Sequence, residues 1–228
     1  MAVTSGLGAL THRVLAVSDI ELVLIDWAGT VTVPMSQMMK DAIAFLGWSD
    51  EEVGQALGAL AEYFTSDDSI VHQAERGEVE DSELLTWLDG QYPGASALFD
   101  VDQPSFINAA DRPEMVEFLW WLQDNEVEVW LATNNFASAQ DMLASRYLDG
   151  GAVNAIVNSA LVGARKPHAD YWKIIVEASG LEPHQMLLVD DNVANLESAA
   201  ALGMATVLIG DDAAPAIAEI KSALTDDA

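Results

Sequence analysis

The stretch that most constrains this chain is residues 21–30, ELVLIDWAGT. A short apolar run ends in Asp26, and Ala28, Gly29 and Thr30 follow within the length of a turn. Such a run reads as a parallel strand buried on both faces, delivering a carboxylate to its C-terminal end. The glycine turn after it leaves backbone amides at Gly29 and Thr30 free for a substrate. Ligands of open α/β sheets bind beyond the carboxyl ends of the strands. The rest of the chain is therefore read for what else reaches Asp26.

Beyond residue 111, strand and helix patterns alternate. Helix 113–124 opens with Asp111 at its cap and Pro113 just inside. Strand 127–132, helix 137–147, strand 154–158, helix 169–179 and strand 186–190 follow, then helix 192–202, strand 205–209 and helix 214–224. This alternation predicts an α/β fold, a Rossmann-like parallel sheet with right-handed crossovers. Residues 32–111 read differently. Met38, Met39, Ala42, Ile43, Phe45 and Leu46, then Val53, Leu57, Leu60, Ala61 and Phe64, then Leu84, Leu85 and Leu88 recur at helical spacing. Proline and glycine at Pro93, Gly94 and Pro104 mark breaks between helices. The expected organisation is a core over 1–31 and 112–228, interrupted by an all-helical cap over 32–111 that opens and closes over the site. Residues 1–18 read as a lightly structured lead-in.

The 228 residues suffice for one such domain with an insertion, and 51% hydrophobic content excludes wholesale disorder. The absence of cysteine excludes disulfides and thiolate metal sites. No apolar run approaches the ~20 residues of a membrane span, and no basic cluster precedes an apolar stretch near the start. A cytoplasmic location is the expectation. Nine Lys and Arg against 37 Asp and Glu give a net charge of -28, a field that repels nucleic acid and anionic membranes. It reads as a solvated acidic surface or as adaptation to high salt. An anionic substrate would need local positive charge against that background.

Three more signals fall at or just beyond predicted strand ends: Thr133, Asn134 and Asn135; Arg165, Lys166 and Pro167; and Asp190 and Asp191, followed by Asn192 and Asn195. Singly they read as a turn, a solvated loop and a helix cap. Together, in this order at one sheet edge, they point to phosphoryl transfer. Asp26 can attack phosphorus and form an aspartyl-phosphate. Asp190 and Asp191, with Asp26 and the Ala28 carbonyl, supply oxygen ligands for Mg²⁺. The Thr133 hydroxyl and Asn134 amides can hold the transferred group, while Lys166 neutralises its charge.

On these four motif positions the chain resembles the haloacid dehalogenase-like hydrolase superfamily, in the branch with a helical cap after the first strand. The resemblance runs from Leu22 to Ile209. Residues 190–195, DDNVAN, continuing to AALGM at 200–204, resemble that family's fourth motif and the helix after it; ERGE at 75–78 is typical of the branch's cap. The resemblance implies Mg²⁺-dependent hydrolysis of a small phosphorylated metabolite.

One position departs. Phosphatases of this kind carry a second aspartate where Ala28 stands, and it protonates the leaving group. Such a general acid is worth about 10²–10⁴-fold, and its loss weighs most on alkyl phosphates. Three readings follow. In the first, a hydrolase relies on water, the substrate or a cap residue such as His72 or Glu75, although His72 sits near a helix end and Glu75 reads as a local cap or ion-pair partner. In the second, the DWAGT run is similar to the first motif of phosphonoacetaldehyde hydrolase, which implies carbon–phosphorus cleavage through a cap lysine. Lys40 alone could serve, and it lies earlier than that family's lysine. In the third, the chain grips a phosphorylated ligand or partner with little or no turnover. Dehalogenation needs no metal and would leave Asp190 and Asp191 without a task. Elsewhere, Trp48 and Tyr63 are candidates to shape the pocket, and Arg76 either meets a substrate anion or pairs with Glu78 or Glu80. Trp120 and Trp121 read as packing residues. Substrate identity and oligomeric state leave no recognisable code.

Overall fold

β1 (Leu22–Ile25) is buried at every residue, and its side chains alternate between the two faces of a parallel sheet. The structure, a computed structural model, describes residues 20–49, 51–55, 66–99 and 108–225. After β1 the chain makes one wide turn, Trp27–Val31, and Gly29 adopts φ 84° there. The helices α1 (Met35–Leu46), α2 (Ile70–Glu75) and α3 (Asp81–Gln91) follow, and residues 51–55 are also helical.

The chain then returns through α4 (Pro113–Asp124) to β2 (Glu128–Thr133), α5 (Gln140–Leu143), β3 (Ala155–Asn158), α6 (Ser159–Val162) and α7 (Ala169–Ser179). β4 (Met186–Asp190), α8 (Val193–Ala201), β5 (Ala205–Leu208) and α9 (Ala214–Thr225) complete the order. All pairings are parallel and the strand order is β3-β2-β1-β4-β5, which places β1 at the centre with β2 and β4 on its flanks. The α/β fold expected from the sequence is the fold observed. None of the described helices is long and apolar enough to cross a membrane.

Three apolar clusters build the interior. Val23 and Ile25 face Met115, Phe118 and Leu122 of α4 with Ile217 and Ile220 of α9. Leu22 and Leu24 face Tyr171, Trp172 and Ile175 of α7 with Leu196 and Ala199 of α8. The third cluster gathers Val71, Ala74, Leu84, Leu88, Leu98 and Phe99 from the 66–99 segment around Phe136, which belongs to the loop after β2. Phe99 meets Phe136 edge to face at 5.5 Å.

Several expectations change. Asp111 does not cap α4. Arg112 occupies the cap position, while Asp111 accepts bonds from Tyr147 and Arg146 and forms a two-residue ladder with Thr32. The helix expected over 137–147 is present as one unbroken helical path that opens as a 3-10 turn, continues as α5 and widens through Leu148. Trp121 stacks on Phe118 as expected of a packing residue, but Trp120 is 43% exposed because it falls on the outer face of α4. Phe45, placed on the inner face of α1 by periodicity, is 51% exposed. Trp48 meets Tyr92 edge to face. The lead-in 1–18, the break at Pro104, and Leu57, Leu60, Ala61, Tyr63 and Phe64 lie outside the described residues.

Candidate active site

β1, β2 and β4 all end on one edge of the sheet, and so Asp26, Thr133 and Asp190 sit side by side. Lys166, on the loop between α6 and α7, reaches across that edge. Its Nζ donates to Asp26 Oδ1 at 2.6 Å and to Asp190 Oδ2 at 2.7 Å, with only 1% of the residue exposed. A buried ammonium is stable only when paired and hydrogen-bonded. Burial alone would lower the Lys166 pKa, but the Asp190 and Asp26 carboxylates hold it above the ordinary lysine range.

Asp191 completes the cluster. One oxygen from each of Asp26, Asp190 and Asp191 lies within 4.8 Å of the others. Burial raises the Asp26 carboxyl well above its usual range, Lys166 pulling it down and Asp190 and Asp191 adding to the rise. Asp191 is pushed up to about 6 by burial and by Asp190. With all three ionised, the Lys166 ammonium and the more distant Arg112 guanidinium still leave negative charge uncompensated in a largely buried place. Both shifts express that deficit, and a hard divalent cation with oxygen ligands is the chemical group that meets it. Gly29 fits the same reading. A Cβ there would stand 2.3 Å from Asp191 Oδ2 and displace that carboxylate, and φ 84° itself favours glycine.

Thr133 is fully buried, yet its Oγ1 has no hydrogen-bond partner, and the same holds for Thr30. An unpaired buried hydroxyl costs about 1–3 kcal/mol, which makes two beside one carboxylate cluster a notable expense. Asn195 donates to both Asp190 oxygens at 3.0 and 3.1 Å and fixes that carboxylate, while Asn192 caps α8 on Ala194 N.

The structure thus brings together Asp26, Gly29, Thr30, Thr133, Lys166, Asp190 and Asp191, with Ala28 half-buried in the turn between them. Two donors are spent differently from expectation. The Asn134 side chain exchanges a pair of bonds with the Lys166 main chain at 2.8 and 2.9 Å, so it holds the lysine loop rather than a ligand. The Gly29 N–H is taken by Thr32 Oγ1. Glu75 makes no local pair; it accepts from Arg165 Nε at 2.6 Å and so ties α2 to the residue before Lys166. Arg76 pairs with Glu78. His72 Nδ1 sits 2.8 Å from the Ser66 carbonyl oxygen, its pKa lowered by burial and by Arg165. Lys40 lies on an exposed face of α1.

Two arginines escaped the sequence reading. In the sequence Arg165 is only a neighbour of Lys166, and Arg112 only the residue between the expected cap Asp111 and Pro113. The available signal was scarcity, since in a chain with nine Lys and Arg each cation beside a motif is worth following.

A parallel sheet with an acidic cluster and a buried lysine at its carboxyl edge defines an α/β protein whose site is built from aspartates and one lysine. A family model described as haloacid dehalogenase-like hydrolase matches residues 20–203, and the chain belongs to that family. The chain is 26% identical over 144 residues to a sesquiterpene phosphatase of Aspergillus oryzae, covering 62% of this chain and 73% of that one. Among solved structures, a predicted HAD-like hydrolase from Porphyromonas gingivalis is 17% identical with a TM-score of 0.67, covering 90% of this chain and 98% of that one. A HAD family enzyme from Bacteroides thetaiotaomicron, solved with magnesium and inorganic phosphate, is 17% identical with a TM-score of 0.63, covering 84% and 95%. Both structural likenesses concern the fold.

Proposed function

We propose that this chain is a Mg²⁺-dependent phosphohydrolase of a small phosphorylated metabolite, with Asp26 as nucleophile. The observation that carries the reading is the Lys166 ammonium shared between Asp26 and Asp190 at 2.6 and 2.7 Å, with Asp191 beside them. The likeness to a sesquiterpene phosphatase, and the magnesium and phosphate held by the Bacteroides enzyme, support it. In this reading 32–111 is a cap domain and 1–31 with 112–228 the core.

An Asp26 oxygen attacks phosphorus, the bond from phosphorus to the leaving oxygen breaks, and water then hydrolyses the aspartyl-phosphate. Lys166 orients the Asp26 carboxylate and offsets charge on the transferred group. The unpartnered Thr133 hydroxyl donates to a phosphoryl oxygen, which gives that buried group the partner it lacks. Asp26, Asp190, Asp191 and the Ala28 carbonyl would hold the Mg²⁺, which supplies Lewis-acid polarisation of the phosphoryl group. With Ala28 in place of an acid, leaving groups that depart as stable anions react best.

Carbon–phosphorus cleavage through Lys40 finds no support in an exposed amine, because imine-forming lysines are desolvated or set beside another cation. The test is turnover of an aryl phosphate with Mg²⁺, compared with Asp26→Asn. Loss of at least ~10³-fold in the variant is expected. Tight phosphate binding by the wild type without turnover would replace the enzyme with a phospho-ligand binder. Ala28→Asp should raise activity toward alkyl phosphates by at least ~10-fold, and a fall would count against this mechanism.

A further inference from the structure

Arg112 is 4% exposed, and no carboxylate among the described residues pairs with it. Its guanidinium is held by carbonyl oxygens alone. Nε donates to Thr32 O at 2.9 Å, Nη2 to Gly29 O, and Nη1 to Gly210 O at 2.8 Å and Asp211 O at 3.4 Å. Its charge acts on Asp191 only at a distance, without a direct ion pair, and a buried guanidinium held this way is costly, so its place needs a reason.

The fork grips two loops at once, the turn after β1 and the loop after β5. Its grip on Gly29 is the informative one. Trans peptide geometry means that fixing the Gly29 carbonyl fixes the whole plane shared with Thr30. Gly29 is also the residue that stands against Asp191, where a single added methyl would collide with Oδ2. The Arg112 main chain joins the same anchorage, because its N–H donates to Val31 O at 2.9 Å. The spacing between the Asp26 turn and Asp191 is therefore set from behind by one side chain 83 residues away in sequence.

We propose that Arg112 is a positioning residue for the divalent-cation site, fixing how closely the Asp26–Thr30 turn approaches Asp191 by clamping it to the Gly210–Asp211 loop. This rests on the reading of Asp26, Asp190 and Asp191 as cation ligands. Residues that orient ligands from outside the coordination sphere typically change metal affinity by about 10–100-fold. Electrostatics and positioning make opposite forecasts. Removing a buried positive charge near the site would tighten cation binding, whereas losing the clamp loosens it.

The experiment is Mg²⁺ binding by calorimetry in the full chain, for wild type, Arg112→Met and Arg112→Lys. Affinity should fall about tenfold or more in both, because lysine keeps the charge but cannot bridge four carbonyls. A second measurement, on the wild type alone, avoids any dependence on variant folding. Mg²⁺ should slow amide hydrogen exchange at 27–33 and at 210–212 together. Equal or tighter binding in a folded variant, or protection that stops short of 210–212, would overturn the positioning role while leaving the cation site intact. A wild type that binds no Mg²⁺ would overturn both.

Discussion

At the scale of single residues, unsatisfied polar groups are the clearest guide to chemistry. Thr133 holds a buried hydroxyl with no partner among the described residues at the carboxyl end of β2, where valine would fit the same space. Thr133→Val should therefore leave the melting temperature unchanged or slightly raised, since an orphan polar group is removed. Turnover of an aryl phosphate should nevertheless fall about 10²-fold; a variant that loses stability and keeps activity would show the hydroxyl to be structural. The acidic cluster has its own signature. Folded-state values of Asp26 and Asp191 lie above the ordinary carboxylate range. Groups raised in this way stabilise the cation-free protein at low pH and lose that contribution as pH rises through their folded values. Mg²⁺ should then raise the melting temperature more at pH 8 than at pH 5.5, where protons compete for the same oxygens; an increment independent of pH would contradict the assignment. Asp26, Lys166, Asp190 and Asp191 were legible because each is fixed by a strand end or by the loop beyond one. Arg112 was not, because its task depends on carbonyls brought close by two separate loops, and nothing local announces it.

At the scale of elements, the turn after α2 docks on the core through backbone proximity as much as through charge. Gly77 has φ 67°, and a Cβ there would stand 2.2 Å from the Ala160 carbonyl oxygen on α6. Glu75 meets Arg165 nearby, and Asp67, with its pKa lowered by a hydrogen bond from His168, adds a more exposed contact at 3.0 Å. Gly77→Ala should force these surfaces apart, costing about 1–3 kcal/mol in stability and exposing residues 66–80 to protease. Unchanged proteolysis and melting would mean the turn yields without undocking. The sequence showed ERGE as a motif and helices on both sides of it. It could not show that its glycine answers to a carbonyl in α6, since that need arises only once two distant segments touch. The strands were legible nearly to the residue, and most plainly β1 and β4, where burial on both faces writes an apolar run ending in aspartate. The helix over 137–147 was legible as well, although nothing in its sequence showed that its first turn would tighten and its last would widen.

At the scale of the whole molecule, charge dominates. A net -28 on 228 residues repels itself in every compact state. Salt screens that repulsion, with a Debye length of about 10 Å at 0.1 M and about 3 Å at 1 M. The melting temperature should rise between those conditions, and a flat or falling profile would show that this self-repulsion does not limit stability. Some of the few cations pair with acids elsewhere, as Arg76 does with Glu78 and Arg146 with Asp111. Lys166, Arg112 and Arg165 are drawn to the carboxyl edge of the sheet, where an anion would arrive. The ladder at Thr32 and Asp111, with Val33 N–H on Ala110 O and Arg112 N–H on Val31 O, closes the neck through which the helical excursion leaves and rejoins the sheet. Because both crossings share one narrow doorway, the intervening stretch can be lengthened, trimmed or exchanged without repacking a single strand. Selection for new ligands therefore has a natural graft point a few residues from Asp26.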